Sequence, residues 1–193
     1  MVELVSEVRV ALAQLPKAAD GPDAVMLRER RPSMLAEFAA WPGTEKAVAS
    51  ALKKFCGLRP ATTASRALQS GRATILTLTP RRWWLLSDDP GLSLAALALA
   101  GDTGTSVDLS HARVGLRLAG PGVRGLLARG MAVDLHPSTF PIDAVAQSGF
   151  AEVPAVLHRA SDEAYDLFLP RTFARHTLEW LTESWPALSA SGE

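Results

Sequence analysis

Apolar and polar positions alternate along this chain with two periods, 3.6 and 2, and the switches between them mark its elements. Val5, Val8, Leu12 and Leu15 form one stripe that predicts a short amphipathic helix over 1–16, stopped at Pro16. Such an arm packs either on its own domain or on a partner chain, and periodicity alone leaves both open. Residues 17–23 have linker composition. Ala24 to Arg30 reads as a strand. Thr44 to Phe55 reads as a helix with Ala47, Val48, Ala51, Leu52 and Phe55 on one face and Gly57 past its end. Residues 59–71 are polar and read as a loop. Ala73 to Thr79 and Arg82 to Ser87 read as strands joined at Pro80-Arg81. A helix over roughly 90–100 is apolar nearly all round and must be covered on more than one side.

The order then recurs. In DLSHARVGLRLAGPGVRGLLARG, 108–130, Val114, Leu116 and Leu118 alternate with Arg113 and Arg117, which predicts a strand over 112–118. A Gly120-Pro121 corner opens a helix over 121–129, and Gly130 ends it. Extended segments follow at Ala144 to His158 and Tyr165 to Leu169, then a helix over 172–184 carrying Phe173, Thr177, Trp180 and Leu181. Each half reads as a β-α-β-β-α unit. The expected architecture is α+β, largely antiparallel and internally duplicated, with the two copies sharing one core. The repeats run over about 24–104 and 105–185 within one domain, 24–185, behind an arm and linker (1–23) and before a frayed tail (186–193). At about 75 residues, one copy buries too little surface to stand alone.

Composition narrows the function. A 48% apolar fraction supports a packed core, and 20 acidic against 20 basic residues give no bulk charge for holding nucleic acid. Cys56 is the single cysteine, which excludes an internal disulfide and fits a reducing cytoplasm. Glu3, Glu7 and Arg9 interrupt any signal-peptide core, and the longest apolar run, Leu94 to Ala100, is too short to span a bilayer.

Candidate chemistry is sparse. Gly120, Gly122 and Gly125 spell G-x-G-x-x-G between a strand and a helix. Pro121 removes an amide that a pyrophosphate would need, Asp134 comes too early for a ribose contact and Asp143 lies in a proline-flanked loop. The glycines therefore read as a corner with a close helix–strand contact. Asp108 with His111, and Asp134 with His136, are either proton-transfer pairs or local turn closures. His111, His136, His158 and His176 show no zinc spacing, and no activated nucleophile is legible. Five tryptophans are the larger signal. Trp83 and Trp84, adjacent on a strand, point to opposite faces, so one can enter the core and the other must meet an adjoining layer, a ligand or another protein, with a partner chain the favoured reading. Arg171 and Arg175 open the last helix against its dipole and either answer an external anion or are ordinary surface arginines. Trp83, Trp84, Arg171, Arg175 and Trp180 are the candidate partner-interface residues. No catalytic, cofactor-binding or metal residue is expected.

The succession DLSH (108–111), strand, Gly-Pro corner, short helix, VDLHP (133–137), AEVPAVLHR (151–159), YDLFLPR (165–171) and TFARHTLEWL (172–181) resembles the gamma subunits of bacterial heterotetrameric sarcosine oxidases. The resemblance spans 105–182 strongly and 25–104 weakly. A more distant one is to the folate-binding domain of aminomethyltransferases. The resemblance implies a non-catalytic structural subunit of a cytoplasmic flavoenzyme that demethylates sarcosine to glycine. It implies alpha, beta and delta subunits as partners. FAD, FMN, NAD, tetrahydrofolate and zinc would be carried by those partners and none by this chain. The alternatives are the same subunit in a complex acting on another N-methylated amine, and a stand-alone folate-binding, aminomethyltransferase-like protein.

Overall fold

The computed structural model describes residues 21–61, 63–71, 73–89, 92, 102–185 and 188–190; the helices expected over 1–16 and 90–100 lie outside them. The chain divides into two compact units. One takes the described residues up to Arg31, Arg113–Ile142 and those from Ala146 onward; the other takes Pro32–Ala112 and Asp143–Val145.

The second unit is built on a five-stranded sheet of β2 (Met34–Ala40), β3 (Arg66–Ser70), β4 (Ala73–Thr79), β5 (Arg82–Ser87) and β6 (Gly104–Asp108), ordered β3-β4-β5-β2-β6. All its pairings are antiparallel. Helix α1 (Glu45–Cys56) covers one face. Alternate β2 residues Met34, Ala36, Phe38 and Ala40 pack with Ile75, Trp83, Leu85 and the helix residues Val48 and Leu52. Gly57 ends the helix at φ 77, and its amide bonds back to the Lys53 carbonyl at 2.9 Å. Glu45 in the first turn and Lys53 and Lys54 in the last complement the helix dipole.

The first unit holds a six-stranded sheet of β1 (Val25–Glu29), β7 (Arg113–Ala119), β8 (Val145–Phe150), β9 (Val153–Arg159), β10 (Ala164–Pro170) and β11 (Leu188–Ala190), ordered β11-β1-β7-β10-β9-β8. Helices α2 (Val123–Gly130) and α3 (Ala174–Ser184) belong to this unit, α3 preceded by a 3-10 turn at Arg171–Phe173. Leu126 and Leu127 of α2 and Leu178 and Leu181 of α3 are buried. Gly130 lies where a Cβ would meet the Phe150 and Trp180 rings, at 2.7 and 2.8 Å. Those rings pack edge to face with centroids 5.1 Å apart.

The α+β class and the antiparallel pairing match expectation; several element boundaries do not. Two strands, not one, precede each of α1 and α2, and three follow. β2 lies between β5 and β6 with both faces largely buried, which erases the polar alternation that would mark it as a strand. β3 carries no apolar–polar alternation because it is a polar edge strand, so its sequence reads as a loop. The segment 144–158 is two strands, broken at Ala151 and Glu152, whose φ values of 48 and 67 make a hairpin turn without the usual Asn-Gly or Asp-Gly signal. Residues 188–190 of the tail, expected to fray, pair in parallel with β1.

Arg159 ties the loops of the first unit together. Its side chain is buried, yet it donates to the carbonyls of Phe140 (2.8 Å), Ser161 (3.2 Å) and Asp162 (3.2 Å) and to the Asp162 carboxylate (3.2 Å). A buried guanidinium is tolerated because nearly every donor it points inward has a carbonyl to meet. Arg159→Met keeps the apolar stem but strands those carbonyls. It is expected to lower stability by about 3 kcal/mol, read as a shift of the urea unfolding midpoint of the purified chain.

Candidate functional site

The glycine corner is occupied by the chain itself. Gly120 has φ 128, a conformation natural to glycine. A Cβ on Gly122 would stand 2.4 Å from the Asp23 carbonyl oxygen, and the Gly122 amide donates to the Ala24 carbonyl at 3.2 Å. A Cβ on Gly125 would stand 3.1 Å from the Trp185 ring. The Trp185 indole N–H donates to the Asp23 carbonyl at 2.8 Å, and the Arg129 guanidinium sits 4.9 Å from the centre of that ring. These glycines permit close packing, and the Gly122 amide is already engaged.

Both acid–histidine pairs close turns. Asp134 accepts the His136 amide at 2.9 Å, while His136 Nδ1 lies 2.7 Å from the Ser138 hydroxyl. The His136 amide, then the Thr139 hydroxyl, hold the Asp134 carboxyl below its ordinary range. Asp108 accepts the Ser110 amide at 2.8 Å, and Ser110 Oγ in turn accepts the Leu35 amide at 3.0 Å. The Ser110 hydroxyl is the main reason that Asp108 titrates low, with its amide and nearby His111 adding to it against the cost of burial. Among the described residues no three His, Cys, Asp or Glu side chains are grouped to hold a metal ion, and no helix is long and apolar enough to cross a membrane.

The most concentrated ionic cluster lies on the first unit's sheet. Register places Arg28, Arg117, Asp166 and His158 in one row across β1, β7, β10 and β9. The Asp166 side chain is only 4% exposed. Arg117 grips it bidentately, Nε to Oδ1 and Nη2 to Oδ2, both at 2.6 Å. Arg30 Nε stands 3.9 Å and His158 Nδ1 3.8 Å from Oδ2. Burial pushes the Asp166 carboxyl up, but His158 and Arg117 outweigh it and leave the carboxyl below its ordinary value. The sequence carried a signal for this cluster that periodicity overlooked. Asp166 and His158 are single ionisable residues within apolar strands, and Arg117 is the polar member of a half-buried one.

The candidate interface residues separate. Trp83 and Trp84 are each 2% exposed, so neither indole faces outward, correcting the expectation that one would meet a partner. β5 is flanked by β4 and β2 and buried on both faces, where adjacent large residues are both absorbed. The Trp84 indole donates to Glu37 at 2.9 Å, and Arg82 holds the same carboxylate at 2.8 Å. Trp180 is partly buried against Phe150. Arg171 and Arg175 do stand at the start of the last helix, with Phe173 between them at 42% exposure. The tryptophan left most open is Trp41, at 50%.

This is an α+β chain whose carboxylates Asp108, Asp134 and Asp166 are engaged in its own turns and sheet. Its fold is that of the aminomethyltransferases. The Bartonella henselae glycine cleavage system aminomethyltransferase T superposes on 98% of this chain and 51% of that one, with a TM-score of 0.60 at 17% identity. A chain of the heterotetrameric sarcosine oxidase of Corynebacterium sp. U-96 superposes over 97% of both chains, with a TM-score of 0.82 at 25% identity. The sarcosine oxidase subunit gamma of Corynebacterium sp. strain U-96 is 29% identical over 184 residues, 93% of this chain and 89% of that one. That of an Arthrobacter species is 34% identical over 88 residues, 45% of this chain. The profile of the sarcosine oxidase gamma subunit family matches residues 41–187, and the chain belongs to that family.

The Asp166 row gives a pH test. A carboxyl depressed in the folded state stabilises fully above its unfolded value of about 3.9, and that contribution is lost as pH falls through the lower folded value. Asp166→Asn leaves the Arg117 guanidinium without its counter-charge. It is expected to cost about 3 kcal/mol at neutral pH and to flatten the acid side of the stability profile, measured by thermal unfolding between pH 3 and 7.

Proposed function

We propose that this chain is the gamma subunit of a heterotetrameric, flavin-dependent sarcosine oxidase, a structural component that carries none of the catalytic groups itself. The family match carries this reading, together with a likeness to a chain of the heterotetramer that covers nearly the whole length of both. The engagement of Asp108, Asp134 and Asp166 in local bonds supports a non-catalytic role. The oxidation of sarcosine to glycine, with FAD, FMN, NAD, tetrahydrofolate and zinc, falls in this reading to the alpha, beta and delta subunits. The working location is the cytoplasm. Arg171, Arg175 and Trp180 remain as candidates for contact with those partners.

The chain is in this reading an internal duplication, with repeats over about 24–104 and 105–185. The two sheets support it. Leaving β11 aside, the orders β1-β7-β10-β9-β8 and β6-β2-β5-β4-β3 correspond strand for strand, each opening with the first strand of the other repeat. In both repeats a strand also reaches its helix through a Pro-Gly corner, Pro42-Gly43 and Pro121-Gly122.

The test is native mass measurement of the tagged chain purified from its own host, with an absorbance spectrum of the same sample. A yellow assembly with larger flavin-bearing chains that oxidises sarcosine is the expected result. A colourless monomer would overturn the subunit reading, and a yellow assembly inert to sarcosine but active on another N-methylated amine would overturn the substrate.

A further inference from the structure

The start of the last helix breaks several local rules at one place. Its first turn carries no acidic residue, and no side chain caps it. Instead two cations, Arg171 and Arg175, stand where the helix dipole is already positive, about one turn from each other. Arg175 is 75% exposed and meets Glu179 at 2.8 Å, an open surface pair that contributes little. His176 follows, exposed, its Nε2 3.3 Å from the Ala151 carbonyl. Arg171 Nη2 is shut off from solvent and has no hydrogen-bond partner. A buried donor left unmet is costly, so an acceptor brought to this guanidinium would answer it. Between the two arginines Phe173 lies 42% exposed, an aromatic flanked by arginines as in the centres of protein interfaces.

The uncapped helix start, the arginines against its dipole, the unmet Arg171 donor and the exposed Phe173 are unfavourable in an isolated chain, and one event reverses them together: arrival of a carboxylate beside an apolar hollow. We infer that the segment Arg171–Arg175 is a docking surface for an acidic, carboxylate-bearing segment of another subunit of the oxidase. Arg171 and Arg175 take the carboxylates, which also answer the uncapped helix start, and Phe173 enters the partner's apolar hollow. The inference rests on the subunit reading above. The occupant is fixed by charge complementarity: arginines and the positive helix end together select an anion, and Phe173 selects one attached to a protein surface.

The test compares the wild-type complex with one carrying Arg171→Glu and Arg175→Glu, following release of this chain with increasing NaCl by native mass measurement. The wild-type chain is expected to leave progressively as salt rises. The double variant is expected to leave at least about tenfold more readily at low salt and to lose that salt dependence. Arg171→Glu alone, which keeps the Arg175–Glu179 pair, is expected to leave the complex more readily yet, as the isolated chain, to melt higher than wild type, because an acid now meets the helix start. That opposition of signs is not produced by a merely structural role. Phe173→Ser, which leaves the charges in place, is expected to weaken assembly without changing the salt slope. Unchanged release of the double variant from an intact complex overturns the docking surface while leaving the subunit reading standing. A wild-type chain that captures no larger chain overturns both. Stabilisation of the isolated wild-type chain by millimolar inorganic phosphate that the double variant loses would instead assign the site to a free anion. Salt-sensitive self-association of the isolated chain would assign it to a second copy; either result overturns the proposal.

Discussion

The carboxylate of Asp166 is the constraint on which the first unit's sheet depends. It is buried on β10, held bidentately by Arg117 on the neighbouring strand β7, and approached by His158 of β9 and by Arg30 just beyond β1. Register matters here more than anywhere else in the sheet. A slip of one residue would turn Asp166 to the opposite face, into the place Leu167 holds between Leu116 and Leu157, and leave a charge among apolar side chains. The ionic row thus selects one alignment of four strands, which apolar contacts alone would specify less sharply.

The corresponding row in the other sheet uses a different solution. There Glu37 on β2 receives the Trp84 indole and the Arg82 guanidinium, so a polar cross-strand group again sits on the face opposite the α1 core. Its outward neighbour is Val107, where the first sheet has Arg28. The same strand order therefore supports two chemically distinct faces. In neither row does an acid and a base stand open for proton transfer.

Against that economy the start of the last helix stands out. At α1 and at the glycine corner local chemistry and fold agree: Gly57 ends α1, acids and bases suit the ends of that helix, and the glycines allow the close approach made there. At Arg171–Arg175 they disagree at several points at once. Such local conflict is the ground on which the docking surface is proposed.

The hydrophobic periods of the sequence determined the α+β class, most strands and all three described helices, because amphipathic elements carry their burial pattern in local order. They also marked the Gly120-Pro121 corner and the arginines of the last helix. Elements whose surroundings are uniform left no such trace. β2 is largely buried on both faces, β3 is exposed along an edge, and β11 exists only through its pairing with β1. The fate of Trp83 and Trp84 was likewise a matter of tertiary packing, since alternation gives two faces but not what covers them. The gathering of Arg30, Arg117, His158 and Asp166 was decided by strand register alone. These residues span well over a hundred positions of the chain, and nothing local couples them until the sheet forms.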